Sequence, residues 1–374
     1  MTTLPTSYLE SRARFRERLP LIQSAWPDAR LEAYPISSPD GDLDLTIDVI
    51  RADSQADNQR LLVFTTAQHG IEGYVGSAVL EMFIDEYLPR LNSKTTGLLL
   101  VHAINPWGMK HWQRNNPAGV DLNRNFYEGD FSSLADVNAD YPRLAAYLSP
   151  ARTIGPVWIE KLRFVSDTLC ALVNFGARRV REAALMGQYC KAEGIYHGGL
   201  ELQPEAQTMM KLYTSAFARY GQIVHLDMHT GYGPRWLMTL VTSIHEQRSS
   251  VEITADYNAP RVAASNPDEF YSKHGDMIDW EYAWMQQNRP EARFFAATCE
   301  FGTFGESILA GARSLRITIL KNRLNRWGAN PASRDWVNHE YRELYLPSEP
   351  AWLEKALADA RQTCEGVLSR EGYF

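Results

Sequence analysis

Histidine and carboxylate side chains stand directly after two apolar segments of the sequence. His69 and Glu72 follow the apolar run 61–66, and His229 closes the run 223–229. Zinc prefers imidazole nitrogen and carboxylate oxygen as ligands, and a catalytic zinc site has three protein ligands and one open position. These residue types therefore predict a catalytic zinc site. An isolated His-x-x-Glu is more often a polar loop residue followed by a glutamate that favours a helix N-terminus.

A third apolar run, 294–301, places Glu300 near its end. A carboxylate in a buried strand needs a partner or a function, so Glu300 is the candidate general base. Glu306 is the competing carboxylate, but we expect it one turn inside the following helix, where it serves that helix. His225 lies within the run that ends at His229 and is interpreted as a core histidine with its own hydrogen-bond partners.

The most specific motif lies between the two histidines. It consists of NPWG at 105–108 and RNNPAGVDLNRNF at 114–126. This motif, placed after a His-x-x-Glu and before a histidine that ends a strand, resembles the signature of zinc carboxypeptidases of the carboxypeptidase A type, the funnelins. The resemblance covers about residues 45–325. Taken alone, residues 121–124 would be a polar turn closed by an Asx hydrogen bond.

The resemblance implies roles in metal and substrate binding. Two histidines and a glutamate hold one zinc ion in that family, which here implies His69, Glu72 and His229 as ligands. An Asn-Arg pair binds the terminal carboxylate of the substrate, which implies Asn123 and Arg124. An arginine suits this role because its planar guanidinium makes two parallel hydrogen bonds to a carboxylate.

The resemblance also implies roles in the reaction. Arg114 corresponds to the arginine that stabilises the oxyanion, and Asp121 to the carboxylate that orients the first zinc histidine. Glu300 corresponds to the glutamate that takes a proton from water whose pKa zinc has lowered.

The segment YSKHGDMIDW at 271–280 resembles the mobile tyrosine segment of carboxypeptidase A. Tyr271 would then close over the bound substrate, and Ile278 would lie in an apolar specificity pocket. The stretch from Asp279 to Glu300 is longer than in the pancreatic enzymes, and the alternative for Tyr271 is an ordinary surface loop.

Several positions depart from the pancreatic carboxypeptidases. Gly70 and Ile71 stand between the first two implied ligands, as in His-Gly-x-Glu deacylases such as aspartoacylase. Gly231 replaces a frequent aromatic residue, and the insertion around 187–199 has no counterpart. The resemblance implies a hydrolase of a peptide C-terminus or of a small amide with a free carboxylate. The alternatives are an N-acyl-amino-acid amidohydrolase with the same site and a non-catalytic binding protein with the same fold.

The elements that must position these residues follow from hydrophobic periodicity. The predicted strands are 43–50, 61–66, 97–104, 223–229 and 294–301, and the predicted helices are 77–91, 156–182, 205–220, 304–326 and 350–369. The first strand alternates and belongs near a sheet edge, whereas the others are continuously apolar, as strands covered on both faces are. The order strand, helix, strand predicts an α/β fold with a mixed central sheet flanked by helices, in which functional groups gather at the carboxyl ends of strands.

The length alone permits one large domain or two smaller ones, but the absence of an internal repeat and of a Ser/Gly/Pro linker favours one catalytic domain over residues 1–374. Its core would cover about 45–325, with a helical extension over about 326–374 and long loops at 105–155 and 187–205. No Gly-x-Ser-x-Gly or P-loop motif is present, which argues against a serine hydrolase and a P-loop nucleotide site.

Charge and targeting signals limit the partners. The formal net charge of -7 argues against an extended basic surface for nucleic acid or anionic lipid. Four scattered cysteines without a Cys-x-x-Cys argue against a disulfide scaffold or a thiolate zinc site. The N-terminal segment has no apolar signal region and no long apolar run follows, so we expect a cytoplasmic protein without a membrane anchor. The sequence leaves the oligomeric state open.

Overall fold

A mixed sheet of eight strands organises the chain. The computed structural model describes residues 3–39, 41–42, 44–265 and 274–374. Within them the strands are β1 (Arg30–Pro35), β2 (Thr46–Ala52), β3 (Arg60–Thr66), β4 (Thr96–His102), β5 (Gln222–Thr230), β6 (Met238–Thr242), β7 (Val262–Ala264) and β8 (Arg293–Phe301). The strand order is β1-β2-β4-β3-β5-β8-β6-β7. This architecture confirms the predicted mixed central sheet.

The centre of the sheet is parallel and its flanks are mainly antiparallel. β4, β3, β5 and β8 run in one direction. β2 is antiparallel to β4, and β6 is antiparallel to β8. Because β3, β5 and β8 are adjacent and parallel, their carboxyl ends meet at one edge of the sheet, where α/β proteins commonly place their sites.

Helices cover both faces of this sheet. They are α1 (Tyr8–Glu17), α2 (Leu19–Gln23), α3 (Gly73–Glu86), α4 (Pro106–Lys110), α5 (Tyr141–Leu148), α6 (Val157–Phe175), α7 (Ala177–Leu185), α8 (Pro204–Phe217), α9 (Ser250–Tyr257), α10 (Met277–Asn288), α11 (Ile308–Trp327), α12 (Pro331–Tyr345) and α13 (Pro350–Arg370). Among the described residues, no helix is both long enough and apolar enough to cross a membrane.

Alternation along the strands divides the core into two layers. Leu62 and Phe64 of β3 pack with α3 and α13 in one cluster of buried residues. Leu61 and Val63 point to the opposite face and pack with α8 and α10 in another. β3 is therefore buried on both faces, which explains its continuously apolar sequence.

The sequence missed several elements. β1 was not predicted and takes the sheet edge, and β2 lies next to it, near the edge as expected. The helix predicted over 156–182 is two helices, α6 and α7, because Gly176 has φ 78° and interrupts the helical backbone. The predicted loop 105–155 contains α4 and α5.

Candidate metal centre

Three adjacent strands deliver the candidate metal ligands and base. The register of β5 and β8 places His229 beside Glu300. β3 ends at Thr66, and Ala67, with φ 57°, turns the chain toward His69. These side chains therefore meet at the edge where the carboxyl ends of the strands gather.

A close backbone contact fixes the segment that carries His69 and Glu72. A Cβ atom added to Gly70 would lie 2.1 Å from the carbonyl carbon of Gly108, so only glycine fits there. The amide of Gly70 donates to the carbonyl of Arg114 at 3.2 Å. The departure from the pancreatic sequence at position 70 thus has a packing reason.

His69, Glu72 and His229 form a compact buried cluster. Nδ1 of His69 lies 3.0 Å from Oε1 of Glu72, and Nδ1 of His229 lies 3.0 Å from Oε2. The two Nδ1 atoms are 3.0 Å from each other. Among the described residues, these three form the group of side chains able to hold a metal ion.

Two carboxylates fix the orientation of the histidine rings. Nε2 of His69 contacts Oδ1 of Asp121 at 3.0 Å, and Nε2 of His229 contacts Oδ2 of Asp227 at 2.6 Å. A carboxylate accepts a proton from Nε2, which leaves the Nδ1 lone pair directed into the cluster. The lone pairs of two nitrogen atoms that lie 3.0 Å apart repel each other unless a proton or a cation lies between the atoms.

The electrostatics of the cluster favour positive charge. Burial would lower the pKa of His229, but the carboxylates of Asp227 and Glu72 raise it well above its usual value. Burial would raise the pKa of Glu72, but His69 and His229 lower it below its usual value. Zinc takes nitrogen and oxygen ligands of these types, so the residues fit a zinc ion.

Arg114 links the ligands to Asp121. Its Nη1 donates to Oε1 of Glu72 at 3.0 Å, and its Nε donates to Oδ2 of Asp121 at 3.1 Å. Burial alone would raise the pKa of Asp121, but Arg114 and His69 hold it well below its usual range. Asp121 therefore stays ionised and in contact with His69.

Glu300 lines the same cavity as His69 and His229. Its Oε1 accepts from the amide of Tyr232 at 2.9 Å, and burial and the charge of Glu72 raise its pKa. Glu306 was expected inside a helix, but α11 begins only at Ile308, so that expectation is wrong. Glu306 instead forms a partly exposed ion pair with Arg261.

Comparison with known proteins places the chain in a family. The family model described as "Protein of unknown function (DUF2817)" matches residues 5–359. The chain belongs to this family. No curated protein matches it.

Solved structures similar to this DUF2817 chain include two whose descriptions mention a carboxypeptidase or a carboxypeptidase inhibitor. Bovine thrombin-activatable fibrinolysis inhibitor, solved with tick carboxypeptidase inhibitor, is 14% identical, with 91% of this chain and 97% of that chain covered and a TM-score of 0.48. Carboxypeptidase A from Helicoverpa armigera is 14% identical, with 91% and 74% covered and a TM-score of 0.48. A Shewanella amazonensis protein provisionally assigned to the succinylglutamate desuccinylase/aspartoacylase family is 17% identical, with 79% and 72% covered and a TM-score of 0.39.

In the DUF2817 chain, Asn123 and Arg124 occupy different surroundings. Asn123 lines the cavity that contains the ligands, and its Oδ1 accepts from the amide of Met277 at 3.1 Å. Arg124 is 1% exposed and is not among the described residues that line this cavity. Its Nε, Nη1 and Nη2 donate to backbone carbonyls of, in order, Met186, Asn123 and Leu185, at 2.8 to 3.1 Å.

The segment 187–205 packs onto the motif rather than standing apart from it. The amide of Asp121 donates to the carbonyl of His197 at 2.8 Å, and the side chain of Asn125 donates to the carbonyl of Gly198 at 2.7 Å. Tyr196, with φ 51°, lines the cavity, and its ring centre is 5.4 Å from Cζ of Arg114. Tyr196 was not predicted as a site residue from the sequence. The one hint of its position is the His-Gly-Gly at 197–199 that follows it.

The cavity beside the ligands has a volume of about 440 Å³ and a largely apolar outer wall. Members of that wall on α6, α7 and α11 are Phe164, Leu172, Val180, Ala312 and Leu315. Ile278 does not line it within the described part of the chain. Ile278 is 3% exposed and packs in the core with α8 and α10. Tyr271 lies outside the described residues.

Proposed function

We propose that this chain is a zinc-dependent hydrolase that cleaves an amide bond next to a free carboxylate, as at the C-terminus of a peptide. The observation that carries the proposal is the 3.0 Å separation of the Nδ1 atoms of His69 and His229, whose Nε2 atoms both face carboxylates. That arrangement suits one cation held by these nitrogens and Glu72. Because the ligands and Glu300 meet at one edge of a single sheet, we also propose a single catalytic domain.

A zinc ion bound there would polarise the substrate carbonyl and lower the pKa of water. Glu300 then acts as the base. The amide of Tyr232 holds its Oε1, which leaves Oε2 to take a proton from water and later to pass it to the leaving amine. The raised pKa of Glu300 favours the first step, because a carboxylate with a raised pKa accepts a proton more readily.

Arg114 and Asn123 are the proposed groups that contact the substrate. Nε and Nη1 of Arg114 are held by Asp121 and Glu72, so its remaining Nη2 group can donate to the oxygen that becomes negative during attack. Asn123 lines the same cavity. The apolar wall beyond them favours a substrate with an apolar side chain or acyl group.

The decisive experiment combines metal analysis with hydrolysis assays of purified variants. We expect His69→Ala to lose zinc, and Glu300→Gln to retain zinc but lose hydrolysis by at least about 100-fold, as for loss of a general base. Glu354→Gln is a matched control, because Glu354 is exposed on α13. Stoichiometric zinc in His69→Ala would refute the ligand assignment.

A substrate panel separates the two proposed substrate classes. Peptides with a free C-terminus, the same peptides amidated at the C-terminus, and N-acyl amino acids should be compared. We expect amidation to abolish cleavage. Equal cleavage of free and amidated peptides would contradict the need for a carboxylate, and turnover of N-acyl amino acids without peptide cleavage would identify an amidohydrolase.

A further inference from the structure

A second cavity, of about 430 Å³, adjoins the one that contains the metal ligands. Arg114, Tyr196 and Thr318 line both cavities. The second cavity differs in chemistry from the first, because its wall includes three cationic and five amide side chains. No aspartate or glutamate belongs to this wall within the described ranges. The chain as a whole has 45 acidic residues and a formal net charge of -7, so this local composition is unusual.

Three cations line the second cavity. Lys321 and Arg326 lie on α11. Arg114 begins the motif at 114–126 and also donates to the candidate ligand Glu72. Nη2 of Arg326 donates to the carbonyl of Ala192 at 2.7 Å, which holds this side chain against the segment 187–205. Arg114 is the member that connects this wall to the site of the proposed reaction.

Lys321 is the most informative of the three. It is 7% exposed, its Nζ donates to Oδ1 of Asn338 at 2.8 Å, and it lies 5.3 Å from the ring centre of Tyr341. No carboxylate in the described part of the chain forms an ion pair with it. A buried ammonium without a counter-ion is costly, and such groups are normally paired.

The charge of Lys321 persists at neutral pH. Burial, with a smaller contribution from Arg342, lowers its pKa from 10.5 to about 8. Lys321 is therefore mostly protonated at pH 7. A protonated lysine in a cavity that two arginines also line attracts an anion, because arginine and lysine bind carboxylate and phosphate oxygens through charge-assisted hydrogen bonds.

We propose that the cavity lined by Lys321, Arg326 and Arg114 is an anion-binding subsite that accepts a carboxylate or phosphate group. Its role as a substrate subsite rests on the proposed hydrolase function, in which Arg114 lies at the junction between the reacting amide and the anionic end of the substrate. Anion binding itself does not depend on the metal. This subsite supplies a cationic surface that Arg124, occupied by three backbone carbonyls, does not present to either cavity.

Isothermal titration calorimetry with sodium phosphate, succinate and neutral succinamide tests the proposal at constant ionic strength and pH 7. The titrations use zinc-loaded protein and the same protein after treatment with EDTA. We expect saturable binding of phosphate or succinate with and without zinc, and no binding of succinamide. The stronger of the two anions identifies phosphate or carboxylate as the preferred group.

Variants of Lys321 locate the binding. We expect Lys321→Met to weaken anion binding roughly tenfold or more, as for loss of a hydrogen bond to a charged group. Lys321→Arg should retain most of the affinity because it keeps the charge. Lys161→Met is the matched control, because Lys161 is an exposed lysine on α6 and should leave binding unchanged.

Three results would overturn the subsite: no saturable anion binding, equal affinity in Lys321→Met and the wild type, or loss of binding after EDTA treatment, which would place the anion at the metal. Failure of the hydrolase proposal gives a different pattern. In that case the protein lacks hydrolysis or zinc, while phosphate or succinate still binds in a way that depends on Lys321.

Discussion

Asp227 lies two residues before His229 on the same face of β5, and its Oδ2 is 2.6 Å from Nε2 of that histidine. The other oxygen of Asp227 accepts from the hydroxyl of Thr65 at 2.6 Å. Thr65 contacts Nε2 of His225 at 2.7 Å, and Nδ1 of His225 contacts Glu281 at 2.8 Å. A buried hydrogen-bonded chain thus runs from a proposed zinc ligand to α10.

The first prediction concerns Asp227. Asp227→Asn removes the negative charge that raises the pKa of His229 and orients its ring, so zinc affinity should fall about 10- to 100-fold. Competition with a fluorescent zinc chelator measures the affinity. Asp28→Asn, at an exposed position, serves as the control. Unchanged affinity in Asp227→Asn would contradict the orienting role.

The second prediction concerns the far end of the same chain. Glu281 and His225 are both fully buried, so Glu281→Ala leaves Nδ1 of the imidazole without its partner, while Nε2 keeps its contact with Thr65. We expect the free energy of unfolding to fall by about 3 kcal/mol, as for a broken buried pair. Urea denaturation measures this change, and Glu291→Ala, at an exposed site, should have little effect. A loss below the effect of the control would mean that Nδ1 of His225 needs no partner.

The candidate metal ligands could be predicted from the sequence more readily than the residues that contact them. His69, His229 and Glu300 could be found because each stands at the carboxyl end of an apolar strand, where topology brings them together. The contact of His225 with Glu281 joins residues 56 positions apart and has no local signature.

The surroundings of two cationic side chains were also difficult to predict from the sequence. Arg124 matched a carboxylate-binding motif, but a motif does not show that the carbonyls of Leu185 and Met186 approach its guanidinium. Nothing in the sequence distinguishes Lys321 from other cations on a helix, because its burial and the carboxylate-free wall around it depend on how α11 packs against the segment 187–205. Tertiary packing, rather than local pattern, decides these roles.

The third prediction tests what Arg124 does. Arg124→Ala would leave three backbone carbonyls without their donor, so we expect a loss of about 3 kcal/mol in unfolding free energy and faster proteolysis within 187–205. Urea denaturation and limited proteolysis measure both effects, with Arg334→Ala at an exposed position of α12 as the control. If Arg124 mainly binds the substrate carboxylate, the variant would keep wild-type stability and show only a raised KM.

The fourth prediction follows from the pKa of Lys321, which is about 8 in the folded chain against an ordinary value of 10.5. Between these values the unfolded chain binds a proton at this position and the folded chain does not. The stability contribution of Lys321 therefore rises with pH across this window. The unfolding free energy of the wild type minus that of Lys321→Met should increase by up to about 3 kcal/mol from pH 7 to pH 10.5. Urea denaturation at a series of pH values measures the difference, and Lys161→Met should stay parallel to the wild type. Parallel curves for Lys321→Met as well would show that Lys321 keeps its ordinary pKa, as an ammonium with a counter-ion or full hydration would.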